Sequence, residues 1–112
     1  MLPMFENLSW SGPFQINDPI PYELRGEPGV YKVDNNSETL YVGQSKTSAH
    51  KRAKDHFRGQ GDSTGRWILE HSEKSQLRIW VTTIEDQNMI DIVEKGLVQK
   101  INPRANVNLV NP

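Results

Sequence analysis

The 112-residue sequence predicts an α+β domain, a small three-stranded antiparallel sheet flanked by helices in the order β-β-α-(α)-β-α. Three observations predict it. Residues 30–34 and 39–43 are Val- and Tyr-rich runs joined by Asp34-Asn35-Asn36-Ser37, which reads as a β-hairpin. Residues 77–83 form a third β-rich run. Apolar side chains recur at helical spacing over 49–57 and 86–101.

Residues 1–28 hold five prolines, Pro3, Pro13, Pro19, Pro21 and Pro28, which exclude a long helix and disfavour a central strand. Interspersed apolar residues make residues 1–27 an expected arm packing on a domain that spans 28–112. After the hairpin, Lys46-Thr47-Ser48 offers a helix N-cap, and the helix should run to about Gly59. Ala49, Ala53 and Phe57 form its apolar stripe, with Lys51, Lys54, Asp55 and Arg58 pointing away. Arg52 and His56, one turn apart, should be rim positions, half in and half out. A short helix over 64–73 would carry Trp67 and Leu69, and Trp67 and Trp80 read as core residues. The last helix, 86–101, should stop at Asn102-Pro103, and 105–112 would add an extended segment.

The bulk numbers narrow the function classes. No cysteine is present, so thiolate zinc sites, disulfides and thiol nucleophiles are excluded. No run resembles a signal peptide or a membrane span, so the expectation is a soluble cytoplasmic protein. The net charge of −1 hides an asymmetry, because residues 46–78 carry eight basic side chains against four acidic ones. That basic middle is either a face for a polyanion or an ordinary solvated helix surface.

One residue conflicts with its surroundings. The apolar stripe of the last helix, Ile90, position 94, Leu97 and Ile101, has Glu94 in its midst. A dry, unpaired carboxylate there would cost several kcal/mol. A cleft, a basic partner or a metal would relieve it; so would a narrower stripe with Glu94 at its end, reaching water. Gly96, two residues on, either allows a close approach or is tolerated. Other candidates carry less. His50 and His56 are spaced wrongly for one metal site, and there is no HExxH, Walker loop or GxGxxG. Ser45 and Ser48 read as turn and cap residues rather than nucleophiles.

The tripeptides Gly29-Val30-Tyr31 and Tyr41-Val42-Gly43 resemble the two signatures of the GIY-YIG endonuclease family, with Val for Ile in each. Arg52 and His56 sit where family members carry an arginine, and some a histidine one turn later. The stretch EKGLVQKINPRAN, residues 94–106, resembles the family's metal-binding glutamate and its Pro-x-x-Asn segment. The resemblance covers residues 28–107.

It implies a divalent-metal-dependent endonuclease acting on the phosphodiester bonds of DNA. Glu94 would hold one Mg²⁺ or Mn²⁺ ion, hard oxygen for a hard cation. Arg52 would fork onto a phosphate oxygen. Tyr31 would serve as or assist the general base; a free phenol titrates near ~10, so the metal, Lys32 or Arg52 would have to help it. Tyr41 would bond the attacking water or the phosphate, and His56 would bond Tyr31 or the phosphate. Asn106 would anchor the tail against the site. Lys46, Lys51, Lys54 and Arg58, with Asn106, would form the substrate-binding set. Site-specific cutting would call for a homodimer, the arm or a separate DNA-targeting partner. The alternative is a catalytically inactive nucleic-acid-binding or protein-interaction module on the same scaffold.

Overall fold

The computed structural model describes residues 8–59 and 61–110. The first seven residues of the expected arm and the last two of the tail lie outside these. Four strands, β1 (Ser11–Phe14), β2 (Gly29–Asp34), β3 (Thr39–Ser45) and β4 (Arg78–Thr83), form one sheet in the order β1-β4-β2-β3. All pairings are antiparallel.

The strand count corrects the expectation of three, although the α+β class stands. The additional strand comes from the proline-rich segment. An edge strand pairs on one side only, so Pro13, which lacks an N–H, is tolerated there. Ile16 and Leu24 from the same segment are buried in the main core.

Helices cover both faces. α1 (Ala49–Asp55) and α2 (Ser63–His71) lie on one, and α3 (Gln87–Ile101) on the other. Tyr31, Val33, Ala49, Ala53, Phe57, Ile68 and Ile79 belong to the first core; Val30, Val42, Ile90, Val93 and Leu97 make the second. β2, a central strand covered on both faces, is buried at Gly29, Val30, Tyr31 and Val33, and its two charged residues, Lys32 and Asp34, are only half-buried. The register shifts between Val33 and Asp34, so Leu40 has no partner opposite it. This bulge lets Leu40 and Tyr41 both pack on the first core.

α3 is capped by Asn102, whose φ of 55° is left-handed, and Pro103 follows. The tail is then a helix, α4 (Arg104–Val110), not the extended segment expected. Proline suits the start of a helix because its missing N–H would have had no partner there, and Val107 N–H donates to the Pro103 carbonyl at 3.2 Å. Trp67 and Trp80 are half-buried rather than core. Trp67 stacks on His71 with centroids 3.8 Å apart, and Leu69, 43 % exposed, yields its core place to Ile68. Among the described residues no helix is long and apolar enough to cross a membrane.

Candidate active site

β2 and β3 set the two signature tyrosines. Tyr31 stands opposite Gly43, and Val33 opposite Tyr41, so both phenols lie on the α1 face with ring centroids 6.1 Å apart. Gly43 is needed for this. A Cβ at that position would come 2.4 Å from the Tyr31 hydroxyl and 2.5 Å from its ring carbon Cζ. The glycine of the second signature thus makes room for the tyrosine of the first.

Tyr31 is only 1 % exposed, so its hydroxyl lies inside the protein. It meets Nε2 of His56 at 2.5 Å. His56 caps the C-terminal end of α1 and is itself 1 % exposed. The expectation of a rim position is therefore corrected: α1 ends at Asp55, and the chain turns His56 inward toward the sheet. The edge of its ring packs on Tyr41, centroids 5.4 Å apart. Its Nδ1 faces the Asp62 carboxylate at 2.7 and 3.0 Å. Asp62 is the N-cap of α2 and accepts from Gly65 N–H at 2.9 Å. Arg52, exposed and one turn before His56, reaches the same carboxylate at 3.5 Å. Sequence reasoning missed Asp62. Its visible signal, an aspartate before a short helix, says only N-cap.

Glu94 approaches from the other face of the sheet. The buried row of α3 is Ile90, Val93 and Leu97, so Glu94 lies beside that row, half-buried, rather than within it. It shares a cleft of about 690 Å³ with Tyr41, Val98, Asn102 and Asn106. Asn106 closes the cleft from α4. Its Oδ1 accepts from Val42 N–H and its Nδ2 donates to the Val42 carbonyl, both at 2.9 Å. That pairing satisfies the outer side of edge strand β3 at Val42, as anchoring of the tail requires.

The electrostatics join the parts. Burial pushes the Tyr31 phenol far above its ordinary range, and Tyr41, Asp62 and Glu94 add to the rise while Arg52 opposes it. Burial also raises Tyr41, with Glu94 adding to it. Burial lowers His56 against the pull of Asp62, so the ring is neutral at neutral pH. Burial alone would raise Asp62, but the Gly65 N–H and His56 outweigh it and hold the carboxyl low. Burial raises Glu94, and Gln44 and Lys46 only partly offset this.

The remaining predicted residues divide. Lys46 stands near Glu94 and pairs with Asp91 at 2.9 Å, beside Gln44, which donates to the same carboxylate at 2.5 Å. Lys51 pairs with Asp55 at 2.9 Å along α1. Lys54 donates to the Asp18 carbonyl, and with Arg58 it borders a hollow beside Ile16 and Asn17 that shares no residue with the Glu94 cleft. Lys32 cannot assist Tyr31. It points to the opposite face, over Trp10 at 5.1 Å and Trp80 at 5.6 Å, because neighbouring side chains of a strand alternate. Ser45 fills the turn role expected, its Oγ accepting from Thr47 and Ser48 N–H at 3.1 and 3.0 Å.

Comparison with known proteins matches residues 27–107 to the UvrC-like GIY-YIG domain. The UvrABC system protein C of Methylococcus capsulatus is 34 % identical over 87 residues, covering 77 % of this chain and 14 % of that protein. Its counterpart from Chlorobaculum tepidum is 32 % identical over 87 residues, 77 % of this chain and 13 % of that one. The chain thus spans about a seventh of the length of these relatives. Among solved structures, the GIY-YIG N-terminal endonuclease domain of UvrC from Thermotoga maritima, bound to magnesium, superimposes with a TM-score of 0.58 at 21 % identity. That match covers 79 % of this chain and all of the other, and it shows the fold.

Proposed function

The chain belongs to the family of UvrC-like GIY-YIG domains, and on that premise we propose that it is a divalent-metal-dependent endonuclease hydrolysing phosphodiester bonds in DNA. The observation that carries this reading is the 2.5 Å contact between the Tyr31 hydroxyl and His56 Nε2, against Tyr41, which also lines the cleft bearing Glu94.

The strongly raised Tyr31 phenol argues against a standing phenolate base. The hydroxyl works instead as a relay. Water attacks phosphorus and gives its proton to the Tyr31 oxygen, while Tyr31 passes its own proton to His56 Nε2. The phosphorus–oxygen bond to the leaving 3′ oxygen breaks as the new one forms. The incoming phosphate draws Arg52 off its long contact with Asp62. Arg52 then holds a phosphoryl oxygen, and Tyr41, half-buried at the mouth, bonds the attacking water or the phosphate. Asn106, with both amide atoms engaged on Val42, acts by holding β3 rather than by touching DNA. Lys46 and Lys51 supply backbone contacts; Lys54 and Arg58 extend them toward the N-terminal segment.

Glu94, a half-buried carboxylate lining the cleft, would hold a single Mg²⁺ or Mn²⁺ ion, hard oxygen for a hard cation. Among the described residues no three or more His, Asp or Glu gather into a ligand cluster, so such an ion would keep waters and take substrate oxygens. When bound, it would supply charge stabilisation for the phosphoryl and leaving oxygens.

The likeness to UvrABC system protein C supports a cytoplasmic DNA-repair role, with other proteins of that system as DNA-targeting partners. The test is nicking of supercoiled plasmid and of a panel of linear, nicked, flap and junction DNAs with Mg²⁺ and Mn²⁺. Wild type should cut, and Glu94→Ala and Arg52→Ala should each lose at least ~100-fold. Equal cleavage by all three would reject the site. Salt-sensitive binding without cleavage of any DNA would favour the inactive binding module.

A further inference from the structure

We propose that Asp62 is a positioning residue: by accepting the Nδ1 proton of His56, it fixes the ring tautomer whose Nε2 takes the proton of Tyr31. The activity arm of this inference rests on the nuclease reading; the tautomer arm does not.

The argument is one of donors and acceptors. An ionised carboxylate only accepts, so a neutral His56 ring with Nδ1 at 2.7 and 3.0 Å from Asp62 carries its proton on Nδ1. Nε2 then has a lone pair and no hydrogen. The Tyr31 hydroxyl at 2.5 Å must donate to it, which is the direction of proton flow that a base relay needs. The opposite tautomer would set a nitrogen lone pair against a carboxylate in a partly buried contact and make Nε2 a donor. The relay would be blocked before the reaction began.

Asp62 is itself held for this task. Its Oδ1 accepts from Gly65 N–H at 2.9 Å, which ties it to the first turn of α2. The connection from His56 to Asp62 folds back through Gly59 and Gly61, with φ of 59° and 72°, values that side-chain-bearing residues rarely adopt. Gly65 lets the start of α2 rest on the end of α1, since a Cβ there would lie 1.7 Å from the His56 carbonyl oxygen. Arg52, at 3.5 Å, reaches the same carboxylate, so Asp62 faces both the proton acceptor and the proposed phosphate ligand.

An N-cap role alone would also explain an aspartate at position 62, and asparagine caps helices as well. Asp62→Asn therefore separates the two. It keeps a cap acceptor for Gly65 but turns an NH₂ group toward Nδ1. Long-range ¹H–¹⁵N spectra of ¹⁵N-histidine protein should show the His56 proton on Nδ1 in the wild type and on Nε2 in Asp62→Asn. Cleavage should fall by ~10²–10⁴-fold with the KM for DNA and the thermal midpoint nearly unchanged. In Tyr31→Phe, which leaves the cap untouched, the proton should stay on Nδ1, because the carboxylate sets it. Wild-type cleavage by Asp62→Asn, an unchanged tautomer in it, or loss of the Nδ1 proton in Tyr31→Phe overturns the proposal. A wild type that cuts no DNA defeats the nuclease reading, and the spectra still decide the role of Asp62.

Discussion

Acid should loosen this fold through His50, a residue outside the site on the same helix. Its ring is fully buried and stacks on Phe14 of β1 with centroids 4.7 Å apart. Neither ring nitrogen has a hydrogen-bond partner among the described residues. Burial, followed by the Lys54 charge and against Asp18, lowers its pKa from 6.5 to about 4. Above pH 6.5 the ring is neutral whether folded or not, and it adds no pH dependence. Below that, the unfolded chain binds a proton that the folded one refuses, so stability falls with pH until about pH 4. At 1.36 kcal/mol per pKa unit, the full loss is about 3 kcal/mol, with about 2 kcal/mol gone by pH 5. Urea unfolding at pH 7.5, 6, 5 and 4.5, for wild type and His50→Leu, isolates this contribution, since other groups titrate in both proteins. The variant loses the Phe14 stack and shifts the whole curve by a constant; only the slope of the difference reports on the proton. A difference constant within ~0.5 kcal/mol across that range would falsify the claim that the fold holds His50 neutral.

Gly43→Ala should cut stability by about 1–3 kcal/mol and cleavage by more than tenfold, because the new methyl group occupies the place of the Tyr31 hydroxyl. Thermal melts and plasmid nicking check this, and a variant with wild-type values in both would contradict the close approach. Asn106→Ala should leave the outward N–H and C=O of Val42 without their amide partner, at about 1–3 kcal/mol. Hydrogen exchange of the Val42 amide should quicken in step, while an unchanged exchange rate would show that α4 does not hold β3.

The parts of the fold legible in the sequence are those whose signals are local. Asp34 to Ser37 marks a turn whatever surrounds it, and Asn102-Pro103 stops a helix by its own backbone preferences. β1 is different. Ser-Gly-Pro-Phe has no strand periodicity, and its pairing of Ser11 with Val81 and Phe14 with Ile79 depends on a free edge far along the chain. α4 is short, and the contacts that place it, Ala105 in the first core and the Asn106 amide on Val42, are with elements far back along the chain. The site follows the same division. Tyr31 and Tyr41 could be seen because one hairpin carries both, and Glu94 because a carboxylate near an apolar row is conspicuous. Asp62 looks like any N-cap, and its contact with His56 depends on how a glycine-bearing loop turns. Nor does spacing along α1 tell that Lys54 leans to the N-terminal segment while Arg52 leans to the site.

The position of β3 at the sheet edge explains how Tyr41, on the α1 face, also reaches the cleft that holds Glu94. A buried sheet normally keeps its two cores apart, and here Tyr31 and His56 belong to one face while α3 covers the other. Around an open edge the two faces meet. Tyr41 packs on the α1 side and also lines the Glu94 cleft, and the bulge at Leu40 helps aim it there. An exposed edge usually invites pairing with another strand. The Asn106 amide satisfies the outer groups of β3 at Val42 and occupies that place. The Pro-x-x-Asn segment after α3 thus covers the strand edge at Val42, and its Asn106 lines the cleft beside that edge.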